Sequence, residues 1–486
     1  MSNTLSGHTV EKIGGTSIAA TEAVLNNVFL NGRKGADLYQ RIFVVSAYAG
    51  VTNKLIEDKK TGEPGVYALF ASAESDWGWG EALTAVGERM RAINAEIFPG
   101  HADRAAADTF VRDRIEGVRS CLIDLHRLCS YGHFRLTEHL SAVREMLSAL
   151  GEAHSAHNTA LLLRQHGVNA VFVDLTGWRD EEEPALDDRI RSGLADIDLS
   201  RELPIVTGYA HCREGMVKSF ERGYTEVTFS RTAAITGARE AIIHKEFHLS
   251  SADPKILGEG RVRTIGRTNY DVADQLSNMG MEAVHPRAAK GLRQADIPLR
   301  VKNTFDPNDA GTVISGDYVS ENPGAEIVTG RRGVLALEFF EQDMVGVKGY
   351  DAAILAVLER HRVGIISKSS NANTITHYLQ GSLKAVKRVI ADLEEQQPSA
   401  AITVRKVAVV SAIGSDMKAS GMTAKATAAL AEAGVDLLGL HQPMRNIDIQ
   451  FIIDEADYEK SVVALHEALI EEQGAAARDA GAREAA

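Results

Sequence analysis

The chain has 486 residues, of which 44% are hydrophobic and 24% charged, and its formal net charge is −13 at pH 7. These fractions are ordinary for globular proteins, and the length predicts about three domains. The acidic balance argues against nucleic-acid binding, because affinity for a phosphate backbone depends on clustered Lys and Arg. The first nine residues lack the apolar segment of a signal peptide, and no apolar run approaches the ~20 residues of a membrane span. We therefore expect a cytoplasmic protein with no membrane partner.

The cysteines and histidines do not predict a metal site. Cys121, Cys129 and Cys212 are too few and too irregularly spaced for a disulfide framework or a thiolate zinc site, which fits a reducing compartment. His154 and His157 lie at helical spacing, but no third ligand accompanies them. We predict that no residues of the chain form a dedicated metal site.

Short β-rich runs alternate with helical stretches over the first ~300 residues, a pattern typical of a parallel sheet covered by helices. The stretch from Trp79 to His166 has apolar residues at i, i+3 and i+4 spacing and is followed by Gly167, so we predict that it is mostly helical. The predicted strands are His8–Ile13, Ile42–Ser46, Ala170–Asp174, Ile205–Thr207, Ala241–His244 and Leu299–Lys302. The predicted fold class is α/β.

The sequence changes character after residue 316, where two segments about seventy residues apart resemble each other. VLALEFFEQDMVG resembles VAVVSAIGSDMKA, and RVGIISKSSNANTIT resembles GVDLLGLHQPMRNIDI in the same register. We predict two ferredoxin-like βαββαβ units, at residues 330–400 and 401–472, in a module that pairs with a second copy of itself. The Ala-rich residues 473–486 are predicted to form a disordered tail.

The segment VEKIGGTS at residues 10–17 joins the first predicted strand to a predicted helix. Lys12 places a positive charge at the strand's end, and Gly14 and Gly15 let a ligand approach the backbone. The hydroxyls of Thr16 and Ser17 stand at the start of the helix, where free N–H groups can bind an anion. This combination predicts a phosphate-binding loop, although an ordinary strand-to-helix turn with a surface lysine would have the same pattern. It is not a Walker A motif, because the lysine precedes the glycines.

The second predicted strand runs into a similar segment, VVSAYAGVTNKL, with Ser46 at the strand's end. The carboxyl ends of neighbouring parallel strands share one edge of a sheet, where ligands of open α/β folds bind. The two loops are therefore predicted to face one crevice, which favours the phosphate-binding interpretation.

Together these motifs resemble those of the aspartokinases. EKIGGTS is similar to the family's K-F-G-G-T-S, VVSAYAGVTNKL to its V-V-S-A-x-x-G-V-T-N, and ALGEAHSAHN to its S-x-G-E-x-x-S-A helix. PIVTGY is similar to P-V-V-x-G-F, MGMEAVHPRAAKGL to G-A-x-V-L-H-P-R-A, and LRVKNTFDPNDAGTVI to the closing strand and turn. The motifs follow one another in the family's order from residue 8 to residue 470. The chain is identified as a member of the aspartokinase family.

The resemblance implies a three-layer αβα amino-acid kinase domain at residues 1–316, followed by two ACT domains that correspond to the repeats. It implies that ATP, with Mg²⁺, phosphorylates the β-carboxylate of L-aspartate to 4-phospho-L-aspartate, the first step of lysine, threonine and methionine biosynthesis. It also implies an allosteric amino-acid effector and a homodimer formed through the ACT domains.

The family's motifs also imply the roles of individual residues. Glu152 would bind the α-ammonium of aspartate, although a solvated helix face is an alternative for it, and Arg222 would bind a carboxylate bidentately. The implied catalytic residues are Lys12 and Glu226. The implied substrate-binding residues are Thr16, Ser17, Glu152, Arg222 and Thr225. The implied ATP-binding residues are Lys12, Gly14, Gly15, Ser46, His244, Lys245, Ser250, Asp253 and Lys255. The implied effector-binding residues are Asp343, Val345, Ser369 and Asn371.

Two family motifs are altered in this chain. G-R-G-G-S-D reads ERGYTE, so that Arg222 is kept, Tyr224 replaces a glycine and Glu226 replaces the aspartate. T-D-V-D-G-V-Y-T-A-D-P-R reads HKEFHLSSADPK, so that His244 and Lys245 replace the Thr-Asp pair. These departures resemble those of aspartokinases associated with ectoine biosynthesis. Two alternatives stay open: another acyl-phosphate kinase of this fold, acting on glutamate or acetylglutamate, and a non-catalytic amino-acid sensor.

Overall fold

The computed structural model describes residues 7–58, 61–72, 76–220, 223–281 and 283–472. The chain divides into two compact units, the first made of residues 1–248 and 284–316 and the second of residues 249–283 and 317–486. The predicted tail at 473–486 and the predicted substrate-binding residue Arg222 lie outside the described residues.

The first unit differs from the predicted kinase domain in one segment. Residues 249–283, which the sequence analysis places inside that domain, belong to the second unit. Their apolar side chains explain this, since Leu257 packs with Phe451 and Leu465, and Leu276 packs with Ile327 in the cores of the second unit. The other predicted domain boundaries stay predictions.

The strands are numbered in chain order. They are β1 (Thr9–Ile13), β2 (Arg41–Val45), β3 (Ala170–Val173), β4 (Leu203–Thr207), β5 (Glu240–Lys245), β6 (Arg267–Asn269), β7 (Leu299–Asn303), β8 (Thr312–Ser315), β9 (Ile327–Phe340), β10 (Gly364–Ser370), β11 (Thr374–Gln380), β12 (Ala401–Ile413), β13 (Leu437–His441) and β14 (Asp448–Asp454).

The α-helices are numbered in the same way, and a π-helical turn follows each of two of them, at Leu25–Leu30 and Glu467–Glu471. They are α1 (Gly15–Ala19), α2 (Thr21–Val24), α3 (Val51–Leu55), α4 (Val66–Ser72), α5 (Asp76–Ile97), α6 (His101–Cys129), α7 (Leu136–Gln165), α8 (Leu186–Leu194), α9 (Met216–Phe220), α10 (Tyr224–Thr236), α11 (Pro254–Leu257), α12 (Tyr270–Asn278), α13 (Pro286–Gln294), α14 (Tyr350–Arg360), α15 (Leu383–Gln396), α16 (Met422–Glu432) and α17 (Tyr458–His466). None of the described helices is long and apolar enough to cross a membrane.

The first unit is built on a sheet with the strand order β3-β4-β2-β1-β5-β7-β8. All neighbouring pairs in it are parallel except β7 and β8. In β1 every residue is buried, and Ile13 at its end pairs with Val45 of β2 and His244 of β5. The loops that follow these three strands therefore begin at the same edge of the sheet. The predicted mostly parallel α/β fold is confirmed.

The long helix α7 is buried over most of its second half. Leu147, Leu150 and Leu163 join the main apolar core of the unit, together with aromatic side chains such as Phe29 and Phe43. Buried polar side chains on the same helix must then meet partners or a pocket, because an unpaired buried polar group is costly.

The second unit contains an antiparallel sheet of six strands in the order β10-β11-β9-β12-β14-β13. The second half of β9 pairs with β11 and with the first half of β12, and the first half of β9 pairs with the second half of β12. One ferredoxin-like unit therefore ends in the first half of β12, and the other takes its fourth strand from the start of β9. The predicted pair of ferredoxin-like folds is confirmed, but the two long strands are shared between the pair.

Candidate active site

The site begins where β1 runs into α1. Gly15 follows the strand closely, and a Cβ atom on it would lie 2.7 Å from the carbonyl oxygen of Ala47, so any side chain would push the two loops apart. The backbone N–H of Ser46 donates to Ile13 (3.1 Å) and that of Ala49 donates to Gly15 (3.1 Å). The two loops that were predicted to face one crevice are thus hydrogen-bonded to each other.

A pocket of about 290 Å³ opens beside these loops. Both loops, the middle of α7 and the start of α10 contribute its walls. It is lined by Gly15, Thr16, Ser46, Ala47, Tyr48, Ala49, Gly50, Thr52, Asn53, Glu152, Tyr224 and Thr225. Four of the predicted site residues on separate segments, Thr16, Ser46, Glu152 and Thr225, therefore line one pocket.

Glu152 is a buried carboxylate in this pocket, with only 2% of its surface exposed. Its Oε1 accepts a hydrogen bond from the Thr225 hydroxyl at 2.6 Å, whereas Oε2 has no hydrogen-bond partner among the described residues. Burial raises the pKa of Glu152 to about 8, although the Thr225 hydroxyl and the charge of Lys12 act in the opposite direction. A Cβ atom on Gly208 would lie 2.9 Å from Oε2, so the glycine leaves the space beside this buried oxygen free of a side chain. The arrangement suits a small cationic group such as an ammonium.

Lys12 and Glu226 form a largely buried ion pair, with 3.1 Å between Nζ and Oε1. The other carboxylate oxygen of Glu226 accepts the backbone N–H of His285. Burial alone would raise the pKa of Glu226, but the charges of Lys12 and Lys245 outweigh it and hold the pKa below its usual value. Glu226 is therefore ionised and fixes the position of the Lys12 ammonium.

Tyr224 is buried and forms part of the pocket wall. Its ring meets that of Tyr209 edge to face, with 5.7 Å between centroids and 82° between planes. Tyr224 replaces a glycine of the family's motif, so it places a side chain in the wall of this pocket. Tyr209 was not predicted as a site residue, although it lies in the PIVTGY motif.

Glu145, two turns before Glu152 on α7, was also missed, and no local pattern distinguishes it. Its carboxylate accepts the Tyr209 hydroxyl (2.8 Å) and the backbone N–H groups of Val217 (2.8 Å) and Lys218 (3.0 Å) at the start of α9. One side chain therefore ties the pocket wall to the segment that precedes α10.

Replacing Glu145 by Gln should lower the free energy of unfolding by about 1.5–3 kcal/mol, because three donors lose a charged acceptor and the new amide faces two N–H groups. Urea unfolding followed by circular dichroism measures this. Glu138→Gln, seven residues earlier on the same helix and exposed, is the matched control and should stay within about 0.5 kcal/mol of the parent. Equal stability of the two variants would contradict the anchoring role.

Ser17 and Glu246 connect the first loop to the end of β5. The fully buried Ser17 hydroxyl donates to Oε1 of Glu246 at 2.7 Å. Glu246 was not predicted as a site residue, and only its contact with Ser17 reveals it. Lys245, one residue earlier, carries a positive charge that helps to lower the pKa of Glu226.

His244 lies in a buried charged network. Its Nε2 is 2.7 Å from Oε2 of Glu11, whose Oε1 is also 2.7 Å from Nε of Arg41. Burial would raise the pKa of Glu11, but Arg41 and His244 hold it well below its usual value. The ring of His244 thus contacts the charged network under the site, and its role in ATP binding stays a prediction.

The remaining predicted ATP-binding residues, Ser250, Asp253 and Lys255, belong to the second unit. The Ser250 hydroxyl donates to the carbonyl of Ala252 (2.7 Å), and Asp253 caps α11 by accepting the N–H of Lys255 (2.9 Å). Their contacts are local, and their role in nucleotide binding stays a prediction.

The predicted effector residues also lie in the second unit, near the end of β9 and along β10. Asp343 and Val345 belong to the turn after β9, where Val345 is 61% exposed. Ser369 lies on β10, which is an edge strand. The side chain of Asn371 accepts two backbone N–H groups of its own turn, at 3.1 and 2.9 Å. Effector binding by these residues stays a prediction.

One group in the described part of the first unit brings three possible metal ligands within 4.8 Å of one another: His248, Asp306 and Asp309. Both ring nitrogens of His248 face carboxylates, with 3.4 Å from Nε2 to Asp306 and 3.5 Å from Nδ1 to Asp309. Such a grouping of a histidine with two acids also occurs without a metal, so it does not by itself indicate a metal site.

The chain is similar to known proteins in both sequence and fold. The profile of the amino acid kinase family matches residues 8–303, and that of an ACT domain matches residues 410–469. Aspartate kinase Ask_Ect of Stutzerimonas stutzeri (strain A1501) is 55% identical over 464 residues, which cover 96% of this chain and 98% of that protein.

Two solved structures share the fold. The crystal structure of Clostridium acetobutylicum aspartate kinase superimposes with a TM-score of 0.69 at 19% identity, covering 95% of this chain and 100% of that one. That of E. coli aspartokinase III in complex with aspartate and ADP gives 0.66 at 19% identity, covering 95% and 99%. The family profile spans more than half of the chain, and the Stutzerimonas relative spans nearly all of it. This chain belongs to the amino acid kinase family and, within it, to the aspartate kinases.

Proposed function

We propose that this enzyme transfers the γ-phosphoryl group of ATP to the β-carboxylate of L-aspartate, giving 4-phospho-L-aspartate and ADP. The observation that carries the proposal is Glu152, a buried carboxylate with one unpartnered oxygen in a small pocket beside the glycine-rich loop that follows Lys12. A pocket that offers a negative charge for an ammonium beside a phosphate-binding loop fits an amino acid as phosphoryl acceptor.

Phosphoryl transfer depends on positioned charges and backbone donors more than on covalent catalysis. In this proposal Lys12, held by Glu226, stabilises the negative charge of the transferred group, and the N–H groups of Gly14 and Gly15 bind its oxygens. Glu152 binds the α-ammonium of aspartate, and Arg222 binds a carboxylate. Because Thr225 donates to Glu152, it fixes the orientation of that carboxylate.

Magnesium would accompany ATP and neutralise charge on its phosphates. The residues of this site fit such an ion, since the Glu246 carboxylate and the Ser17 hydroxyl meet at the phosphate-binding loop. Oxygen ligands of these two types are the ones that Mg²⁺ prefers.

A coupled assay of ADP release, with hydroxylamine to trap the acyl phosphate, tests the proposal. With ATP and Mg²⁺ the enzyme should form a hydroxamate from aspartate, and glutamate should give no more than the sample without acceptor. A preference for glutamate or acetylglutamate would favour a different acyl-phosphate kinase. Amino-acid binding without ADP release would favour a sensor that keeps the fold.

Aspartate binding should release a proton near neutral pH. In the free enzyme burial holds the pKa of Glu152 at about 8, so at pH 7 most of this carboxyl group is protonated, whereas an ammonium ligand requires the ionised form. The affinity for aspartate should therefore rise with pH up to about 8 and then level off. Isothermal titration calorimetry at pH 7 in buffers of different ionisation enthalpy measures the release. Glu152→Gln should abolish it, and unchanged release in that variant would contradict the assignment.

The proposal also covers the oligomeric state, the regulation, the pathway and the location of the enzyme. The paired ferredoxin-like folds support a homodimer formed through the ACT units, which sedimentation equilibrium would measure. They also support an amino-acid effector bound by the same units. A place in the ectoine branch is supported by the identity to Ask_Ect and by the altered motifs. A cytoplasmic location is supported by the free thiols of Cys121, Cys129 and Cys212.

A further inference from the structure

We infer that Glu246 binds the divalent cation of the bound nucleotide, together with the hydroxyl of Ser17. The inference rests on the proposed function, because it assigns a metal ligand to the same ATP site. Glu246 is not among the site residues predicted from the sequence, although it lies in the altered segment HKEFHLSSADPK.

The topology brings the two side chains together. β1 and β5 are adjacent parallel strands, and Ile13 pairs with His244, so the segments after both strands begin at the same level. Ser17 lies in the first turn of α1 and Glu246 directly follows β5. Their side chains meet with 2.7 Å between Oγ and Oε1, and the Ser17 hydroxyl is completely buried.

The electrostatics of the loop point to a cation. A Cβ atom on Gly14 would lie 3.7 Å from Nζ of Lys12 and 3.9 Å from Oε1 of Glu246, so a carboxylate and an ammonium flank the backbone that would receive a phosphate. A carboxylate in this position repels phosphate oxygens, and a divalent cation between them converts the repulsion into attraction. Glu226 also lies at this edge, but Lys12 and the His285 N–H already occupy its oxygens.

The pair has the chemistry of a known magnesium arrangement. In P-loop enzymes a hydroxyl at the helix start after a glycine-rich loop and an acid at the end of a strand hold Mg²⁺ on the phosphates. Mg²⁺ commonly takes one or two carboxylates, phosphate oxygens and several waters. In this chain the family's strand-end Asp is replaced by Lys245, and the acidic side chain stands one residue later, at Glu246.

Calorimetric titration of the full chain with ADP, in Mg²⁺ and in EDTA, tests the inference. The parent should bind ADP more tightly in Mg²⁺, and Glu246→Gln should reduce this enhancement on the order of tenfold or more. In EDTA the variant should bind ADP as well as the parent or better, because it loses a repulsive charge; this also shows that it is folded. Ser17→Ala should lose part of the enhancement. Glu22→Gln, an exposed acid on α2 whose side chain has no described hydrogen bond or ion pair, is the matched control and should behave like the parent.

Mn²⁺ gives a second readout, since its electron paramagnetic resonance spectrum in the ADP complex should change in Glu246→Gln and stay unchanged in Glu22→Gln. Full Mg²⁺ enhancement in Glu246→Gln, or an equal loss of affinity with and without Mg²⁺, would overturn the inference. If either of these results is found and the parent protein still forms aspartyl hydroxamate, only the inference about Glu246 is wrong and the proposed function is unaffected. A parent that binds no ADP in either condition would overturn both.

Discussion

Replacing Lys12 by Ala should lower kcat by about 100-fold or more and change the KM for ATP much less. Lys12 is 8% exposed and its ammonium is held 3.1 Å from Glu226, so its position is fixed before substrates bind. A preorganised charge of this kind contributes more to a transition state rich in negative charge than to bound ATP, and loss of one such contact typically costs about 100-fold or more. Steady-state kinetics at saturating aspartate measure the change.

The variant must be compared with a charge-matched control, because removing Lys12 leaves Glu226 without its cation. An unpaired buried carboxylate is destabilising or takes up a proton. Thermal unfolding of Lys12→Ala therefore has to show that the protein is folded at the assay temperature. Lys34→Ala, at an exposed lysine of the same unit, should keep the parent's kcat. If Lys12→Ala stays within a few-fold of the parent, the lysine has no catalytic role.

The parallel sheet and its loops could be predicted because their signals are local. Strand β2 contains a short continuous apolar run, Ile42–Val45, whereas β1 holds Glu11 and Lys12 between Val10 and Ile13. Both strands are followed by small and hydroxyl-bearing residues. Since the ends of parallel strands share an edge, neighbouring loops could be expected to meet, as Ile13 and Ser46 do.

The packing partner of residues 249–283 could not be predicted in the same way. The helix Tyr270–Asn278 is amphipathic, and its pattern shows that Val272 and Leu276 are buried. Amphipathicity does not say which core receives that face. The sharing of β9 between the two ferredoxin-like units could not be predicted for a similar reason, because the sequence of this 14-residue strand does not indicate which half pairs with which partner.

Side-chain contacts between residues far apart in the sequence could not be predicted either. Glu145 meets Val217 and Ser17 meets Glu246 across 72 and 229 positions of sequence, and neither pair has a local pattern. The contact of His244 with Glu11 is a further example. The motif position of His244 predicts a nucleotide contact, which stays a prediction, and no local pattern shows that Glu11 lies 2.7 Å from its ring.

Changing Glu226 to Gln should remove most of the activity, because the amide keeps the shape of the side chain but not the charge that positions Lys12. The carboxylate holds Nζ of Lys12 at 3.1 Å with one oxygen and accepts the N–H of His285 with the other. With Gln, one of those two contacts is lost or made by an NH₂ group that repels the ammonium. We expect a fall in kcat on the order of 100-fold, close to that of Lys12→Ala, and a double variant little worse than either single one.

The variant Glu226→Asp tests whether the length of the side chain matters in addition to its charge. The shorter side chain keeps the charge but ends ~1 Å nearer the backbone of α10, and an error of that size beside the chemistry can cost ~100-fold. That backbone cannot move forward freely, because Gly223 already approaches His285 so closely that a Cβ atom there would lie 2.4 Å from the imidazole ring. Aspartate at 226, the residue the family has, should therefore be worse than glutamate in this chain. Higher activity of Glu226→Asp would show that the start of α10 adjusts as it does in the family, and that Tyr224 does not fix it.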